Sequence, residues 1–445
     1  MRIADHPSIV KFKNQQEQGE IRKPSPIDSA WLKELVLKAG ADDVGFVQID
    51  RQEVADQRED ILAALPRTKT LISYVVKVNQ EPIRTPARSI ANLEFHHGGD
   101  QVNEVGRKVV SLLQGEGIKA LNPAMGFPME MDKFPGKVWT VSHKPVAVAA
   151  GLGMQGIHRL VIHPKFGNFV LLGTLLIDSE VTAYDMPIDY NPCVECKLCV
   201  QACPVGAIQK DGDFNFSACY THNYREFMGG FTDWTEQVVN SKDHLDYRKK
   251  VNDSESASMW QSLSFGANYK AAYCMAVCPA GDDVIGPFLE DRRAHADDYL
   301  HPLQSKDEVI FVMKGTDAES HVAKRFPNKT IKHVGNSLRS RTIAGFSRGL
   351  SLVFQPNRSK GLAAAYHFRF SGSEQGDVTV VIKDQRIVVS EGLVGVADLE
   401  IRADLDSWLG FLAKEKSLVW SLLRRKIKLK GPAHLLVAFG KCFPS

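Results

Sequence analysis

Four cysteines, Cys193, Cys196, Cys199 and Cys203, stand as C-x2-C-x2-C-x3-C-P within NPCVECKLCVQACPVGAI. No other feature limits the fold so strongly, because thiols this close on one turn are metal ligands before they are anything else. The spacing is that of the bacterial ferredoxin run, in which three thiolates wrap a cubane and the fourth points toward a second cluster. Zinc sites use paired C-x2-C and rarely four cysteines followed by proline. A second motif, Cys274-x3-Cys278-Pro279, lies in AAYCMAVCPAGDD, and Cys219 stands alone between the two. By the exchange rule, Cys193, Cys196, Cys199 and Cys278 hold one 4Fe–4S cluster. Cys203, Cys219 and Cys274 are left for the other. Ala271 occupies the position where a fourth cysteine is expected, so the second centre is 3Fe–4S, 4Fe–4S with a non-cysteine ligand, or a cluster with an exposed iron. Cys442, far along the chain, reads as a buried thiol.

The rest of the chain is that of a folded protein. Of its 445 residues, 44% are hydrophobic and 24% charged, and the net charge of +3 argues for neither nucleic acid nor an anionic surface. The run Arg424-Arg425-Lys426-Ile427-Lys428-Leu429-Lys430 is the local exception, read as the solvated side of a strand or helix end. The N-terminus has no apolar export segment, and no apolar run is long enough to span a bilayer. With eight cysteines suited to metal, the expectation is a cytoplasmic protein with no membrane span.

Three units are expected: 27–186, 187–300 and 306–445, after a polar arm over residues 1 to about 25. In the first, a helix from Ala30 to Ala39 closed by Gly40, strands at 44–49 and 70–78, and a helix at 103–116 alternate as an α/β layer. The second is rich in turns and held by its metal centres as much as by a core. The third carries strands at 309–313, 364–371, 378–383 and 386–390, another expected at 347–356, then helices at 407–412, 418–423 and 433–439, an α+β arrangement.

Other constellations say less. His96-His97-Gly98-Gly99-Asp100 reads as a loop facing a cofactor or solvent. The apolar loop Met125–Met129 lines a pocket or packs. Trp234, Trp260 and Phe265 are expected to shield a cluster from water. No P-loop and no strand-associated G-x-G-x-x-G occurs, so nucleotide binding is unsupported.

From Ile27 to Pro287 the chain resembles the corrinoid-dependent epoxyqueuosine reductases and reductive dehalogenases. The resemblance rests on AGLGMQGIHRLVIHPKFGNFVLLGTLLID (Ala150–Asp178), the cysteine run after it, and lone Cys219 followed by C-x3-C-P. It implies a nitroreductase-like α/β core, cobalamin (a corrinoid), and a ferredoxin-like region that feeds it electrons from an external ferredoxin, flavodoxin or reductase. By position it puts Gly153, Gly156, His158, Arg159, Phe166, Gly167, Asn168, Thr221 and His222 near the corrinoid. The aspartate proton donor of epoxyqueuosine reductases aligns with Lys137, with Asp132 five residues earlier, and Tyr74 is a candidate by type for the dehalogenases' tyrosine. Phe346–Phe443 resembles the sterol-carrier (SCP2) domains through "AAAYHFRFSG", "ADLEIRADLDSWLGFL" and "KIKLKGPAHLLVAF". That second likeness implies an apolar or lipid-like ligand, no nucleic acid, and compatibility with a homodimer. The resulting expectation is an iron–sulfur, cobalamin-dependent reductase similar to reductive dehalogenases, acting on a small apolar molecule, with organohalides one class of candidate. The alternative is an electron-transfer or redox-sensing protein that has lost catalysis.

Overall fold

A computed structural model describes residues 3–17, 26–335 and 339–444. Within the expected N-terminal arm, Pro7–Glu17 is an exposed helix, and 18–25 lie outside the described residues.

The first unit is built on a sheet of order β1-β2-β6-β3, from β1 (Asp43–Gln48), β2 (Thr70–Lys77), β3 (Ala120–Leu121) and β6 (Val170–Ile177). Its pairings are antiparallel. β2 and most of β6 are buried along their length, as their runs of Val, Ile and Leu demand once both sheet faces are covered. The helix Ser29–Ala39 starts on the Asp28 side chain, which accepts from the Trp31 N–H, and stops at Gly40 in the left-handed region. A second helix runs from Arg88 to Gly115. It absorbs His96–Asp100, so the loop expected there does not form. The glycines explain why: Gly98 lets the helix backbone lie on Val78 and Leu171, where a Cβ would stand 2.6 Å from Val78 Cγ1. Between the helix His143–Ala149 and β6, the hairpin of β4 (Met154–Gln155) and β5 (Val161–Ile162) carries the glycine-rich segment.

The cysteine-rich region is mostly helical and shares one apolar core with the segment C-terminal to it. Leu198, Ala202, Ile208 and Tyr273 pack in the same cluster as Leu303, Ile310, Val312, Val322 and Phe326. The parallel pair β7 (Val309–Val312) and β8 (Thr330–His333) therefore packs with the cysteines, whereas the sequence pattern places 306 onward in the C-terminal unit.

Beyond it, a five-stranded sheet of order β11-β10-β9-β12-β13 is formed by β9 (Ala364–Ser371), β10 (Gly376–Lys383), β11 (Arg386–Glu391), β12 (Leu399–Asp404) and β13 (Ile427–Lys430). Only β9 and β12 pair in parallel. The strand expected at 347–356 is instead the helix Ile343–Val353, with the Thr342 side chain capping Gly345. Phe346 and Leu350 recur at helical spacing and, with Phe354, enter a core with Tyr366, Phe368 and Trp408. Cys442 is fully buried there, its thiol donating to the Ala438 carbonyl. Mixed helix and sheet in several units is thus the observed class. Among the described residues no helix is long and apolar enough to cross a membrane.

Candidate redox centre

The eight cysteines form no disulfide, and the fold sorts seven of them into two neighbourhoods. Cys199 has Cys193, Cys196 and Cys278 among its charge neighbours, and Cys278 in turn has Cys193 and Cys196. Cys219 has Cys203 and Cys274. Cys274 also lies within reach of the first set, so the two sets adjoin.

Local backbone serves the thiols. Glu195, Lys197 and Ala272 all take positive φ, at 49°, 62° and 55°. Such geometry costs a non-glycine residue about 1 to 3 kcal/mol and persists where a site requires it. Ala207 N–H lies 3.2 Å from Cys203 Sγ, and the N–H groups of Val205, Gly206 and Ile208 also point at that sulfur. Backbone donors of this kind stabilise a thiolate and tune a cluster's potential. Burial alone has the opposite effect, pushing the Cys274 and Cys278 thiols up to about 12. A positive metal charge must draw those protons off before the sulfurs can ligate. Among the described residues no three His, Cys, Asp or Glu side chains converge closely enough to hold a single ion. A polynuclear cluster is compatible with that, because its irons and sulfides stand between the thiolates.

The second set, with three cysteines, is half-buried at Cys219 and Cys274 together with its neighbours. Cys219, Cys274, Lys144, His143, Tyr224 and Tyr269 all retain solvent-accessible surface, yet protein surrounds each on nearly every side. Aromatic rings adjoin it: Tyr224 meets Phe227 and Tyr269 edge-on, Phe127 stacks on Phe227 at 5.6 Å, and Phe95 meets Tyr269. Lys144 has Cys219 and Cys274 as its charge neighbours and no carboxylate in ion-pair range among the described residues. Burial holds its ammonium below the ordinary lysine range. Arg88, buried beneath the Tyr273 ring, also faces Cys274, with Nε and one terminal nitrogen unpartnered. Lys144 lacks a carboxylate partner, and Arg88, although Glu308 is among its charge neighbours, keeps two nitrogens unpartnered; both suit a neighbour that carries negative charge, as a thiolate-ligated cluster does. Sequence reasoning missed both. The available signal for Lys144 was its place just before Pro145, at the start of the segment used for alignment.

The residues expected around a corrinoid are split. His158 and Asn168 meet inside the glycine-rich hairpin at 3.3 Å. Burial lowers His158 to about 4, so the ring is neutral, and the Asn168 Oδ1 has no partner. Gly153 and Gly156 back onto Ile162, and Gly167, at φ 65°, lies against the Ala280 carbonyl. These glycines therefore let backbone strands touch, joining the hairpin to the Cys278 motif. Arg159 is exposed and donates to the Gly212 carbonyl. Phe166 stacks on His163 with Lys77 and Lys165 over its ring. Thr221 and His222 turn toward β7, where His222 Nδ1 accepts from Phe311 N–H. Both still carry an unpartnered buried atom.

The two proton-donor candidates lie elsewhere. Lys137 pairs with Asp56 and Asp60 at 3.8 and 3.6 Å. Tyr74 is fully buried in β2, its hydroxyl donating to the Val102 carbonyl at 2.8 Å and its ring over Gly173 of β6. Trp260 and Phe265 pack on each other with 60% and 72% of their surface exposed, so they cover no cluster.

Comparison with known proteins agrees with this layout. Residues 186–209 match the 4Fe–4S binding domain family and residues 354–444 the SCP-2 sterol transfer family. An epoxyqueuosine reductase of Lactococcus garvieae is 29% identical over 171 residues, 38% of this chain and 46% of that protein. Over these stretches the chain is similar to the epoxyqueuosine reductases, and its C-terminal part to the SCP-2 sterol transfer family. The match spans between 26% and 46% of the length of these curated relatives. Solved structures lie further off. A catabolic reductive dehalogenase is 15% identical with a TM-score of 0.37, over 67% of this chain and 37% of its own. An epoxyqueuosine reductase bound to a tRNA stem loop is 15% identical with a TM-score of 0.34, over 73% and 85%. The ligand of that last protein is nucleic acid, in conflict with the expectation of none, although a likeness this loose decides nothing for this chain.

Proposed function

We propose that the chain is a cytoplasmic iron–sulfur reductase that uses cobalamin and acts on a small apolar substrate, halogenated compounds included. The observation that carries this reading is the second cysteine set lying beside Lys144 and Tyr224, with Tyr269 against Tyr224. In it, Cys193, Cys196, Cys199 and Cys278 hold one cluster, and Cys203, Cys219 and Cys274 hold the other. Electrons enter from a ferredoxin, flavodoxin or reductase at the first cluster and leave through the second. Cobalamin, when bound, supplies a metal centre able to deliver electrons to a carbon–halogen or carbon–oxygen bond. The half-satisfied His158–Asn168 pair, near Lys144, supports its fit beside the cysteines.

Replacing carbon–halogen by carbon–hydrogen consumes two electrons and one proton and releases halide. Lys144 is the proton source in this reading, since a lysine with a lowered pKa is a better acid than an exposed one. Tyr224, whose burial beside Tyr269 and two thiols keeps its hydroxyl protonated, orients the substrate. The aromatic rings exclude water, and the SCP2 domain gathers the apolar substrate.

Anaerobic reconstitution with iron, sulfide and hydroxocobalamin, followed by metal analysis and electron paramagnetic resonance, tests the reading. About seven to eight irons and one cobalt per chain are expected. Iron without cobalt sinks the corrinoid part and leaves electron transfer or redox sensing. A second reading, reduction of a modified tRNA, is favoured by the names of the relatives. Turnover of a tRNA stem loop but of no organohalide by the loaded protein would establish it instead.

A further inference from the structure

Between Lys414 and Lys430 the sequence holds seven basic residues and one acidic residue, Glu415. The fold makes a surface of this stretch. Val419, Trp420 and Leu423, on the helix Leu418–Leu423, form a stripe spaced i, i+1, i+4 and are 64%, 62% and 68% exposed. A tryptophan and two aliphatic side chains left in water on one short helix are a patch with a purpose. Cations rim it. Arg424 lies over the Trp420 ring at 5.8 Å, and Arg425 comes next in the chain. Lys428 and Lys430 project from β13, the edge strand that continues from the helix, while Ile427 is buried. Arg424, Arg425 and Lys428 form no ion pair among the described residues, whereas Lys426 reaches Asp404 and Glu415 reaches Arg339.

We propose that this face docks the protein on an anionic lipid bilayer. Trp, Leu and Val enter the boundary between headgroups and acyl chains, and the surrounding Arg and Lys neutralise the headgroups. The charge pattern discriminates against other occupants. A second copy of the chain in a two-fold contact brings the same basic rim against itself. RNA satisfies the arginines but leaves Val419 and Leu423 without an apolar partner. A bilayer satisfies both, and it is where an apolar ligand for the neighbouring SCP2 core would be collected. The inference rests on exposure and charge, and it stands whatever the redox centre reduces.

Sedimentation of the full-length protein with vesicles of phosphatidylcholine, alone or mixed with phosphatidylglycerol, tests it. Binding to the mixed vesicles only, weakened by salt, is expected. The double variant Trp420→Ser/Leu423→Ser is expected to bind about tenfold more weakly, and Arg424→Gln/Arg425→Gln to lose the preference for phosphatidylglycerol. These side chains are exposed, so circular dichroism and iron content stay those of the parent. Equal binding to both vesicle types, or unchanged binding by both variants, overturns the proposal. So does a dimer in sedimentation velocity that the apolar variant dissociates, or a tRNA stem loop that the arginine variant alone releases.

Discussion

Tyr74 and Lys137 illustrate how far a residue type can be read without its surroundings. Tyr74 packs on Gly173, its cross-strand partner in β6, and a Cβ there would strike the ring. Its hydroxyl serves the Val102 carbonyl. Tyr74→Phe should therefore lower stability by about 1 kcal/mol, read by chemical denaturation, with cluster content unchanged. Gly173→Ala should cost more, about 1 to 3 kcal/mol. Lys137, about a third exposed and tied to two aspartates, should give less than about 1 kcal/mol on Lys137→Gln and leave turnover intact. Lys144, seven residues on, differs only in where the chain has folded around it.

At the scale of elements, the cysteine motifs were legible because metal ligation is a local demand on spacing. The assignment of Cys278 to the first run, and of Cys219 to Cys203 and Cys274, comes from that spacing; in the fold Cys274 neighbours Cys199 and Cys278 as well as Cys219. Ala271 is the informative gap. It is buried, its N–H held by Asn223 Oδ1 at 2.9 Å, next to left-handed Ala272. Ala271→Cys should add a fourth thiolate to the second cluster. The checks are an iron content raised by about one per chain and loss of any 3Fe–4S signal from the oxidised protein's resonance spectrum. Cys219→Ser should act oppositely, leaving about four irons. The helix Ile343–Val353 reads as a strand in sequence because a short apolar run has no decisive period of its own. Its Thr342 cap and the i, i+4 spacing of Phe346 and Leu350 were the signals that could have settled it.

The whole molecule is tied together by groups far apart in sequence. Arg225, with no exposed surface, donates to the Gly230 carbonyl and pairs with Asp233 at 2.7 Å and Glu255 at 3.3 Å, its guanidinium over Phe311 of β7. Lys332 of β8 reaches the same Glu255, and Gly335 N–H donates to Asp233. Arg225→Met would leave Asp233 without its cation while Glu255 keeps Lys332, and should cost about 3 kcal/mol, seen as a lower denaturant midpoint for the cysteine region and β7–β8 together. Acid should act through His143, whose ring is enclosed between Thr174 and the Ala124 carbonyl. Burial lowers it from 6.5 to about 4. Between those values the unfolded chain takes up a proton that the folded chain refuses, so unfolding becomes easier as pH falls. The expected slope is about 1.4 kcal/mol per pH unit from this group, with His158 and His222, also lowered to about 4, adding in the same sense. Denaturation of the anaerobic protein at pH 7, 6 and 5 measures it, and a flat profile would refute the assignment.

The cysteine spacing alone pointed to iron–sulfur binding, and residues 186–209 match the 4Fe–4S binding domain family. Alternation and caps determined most helices and strands, because those are contests among near neighbours along the backbone. Only the tertiary structure decided that Lys144 and Arg88 stand at the second cysteine set, that the glycines of the AGLG segment join backbones, and that residues 306–335 pack with the cysteines. It alone put Trp420 in water beside a basic edge. Burial and the placement of charge depend on which distant segments meet, and no spacing within one segment records that.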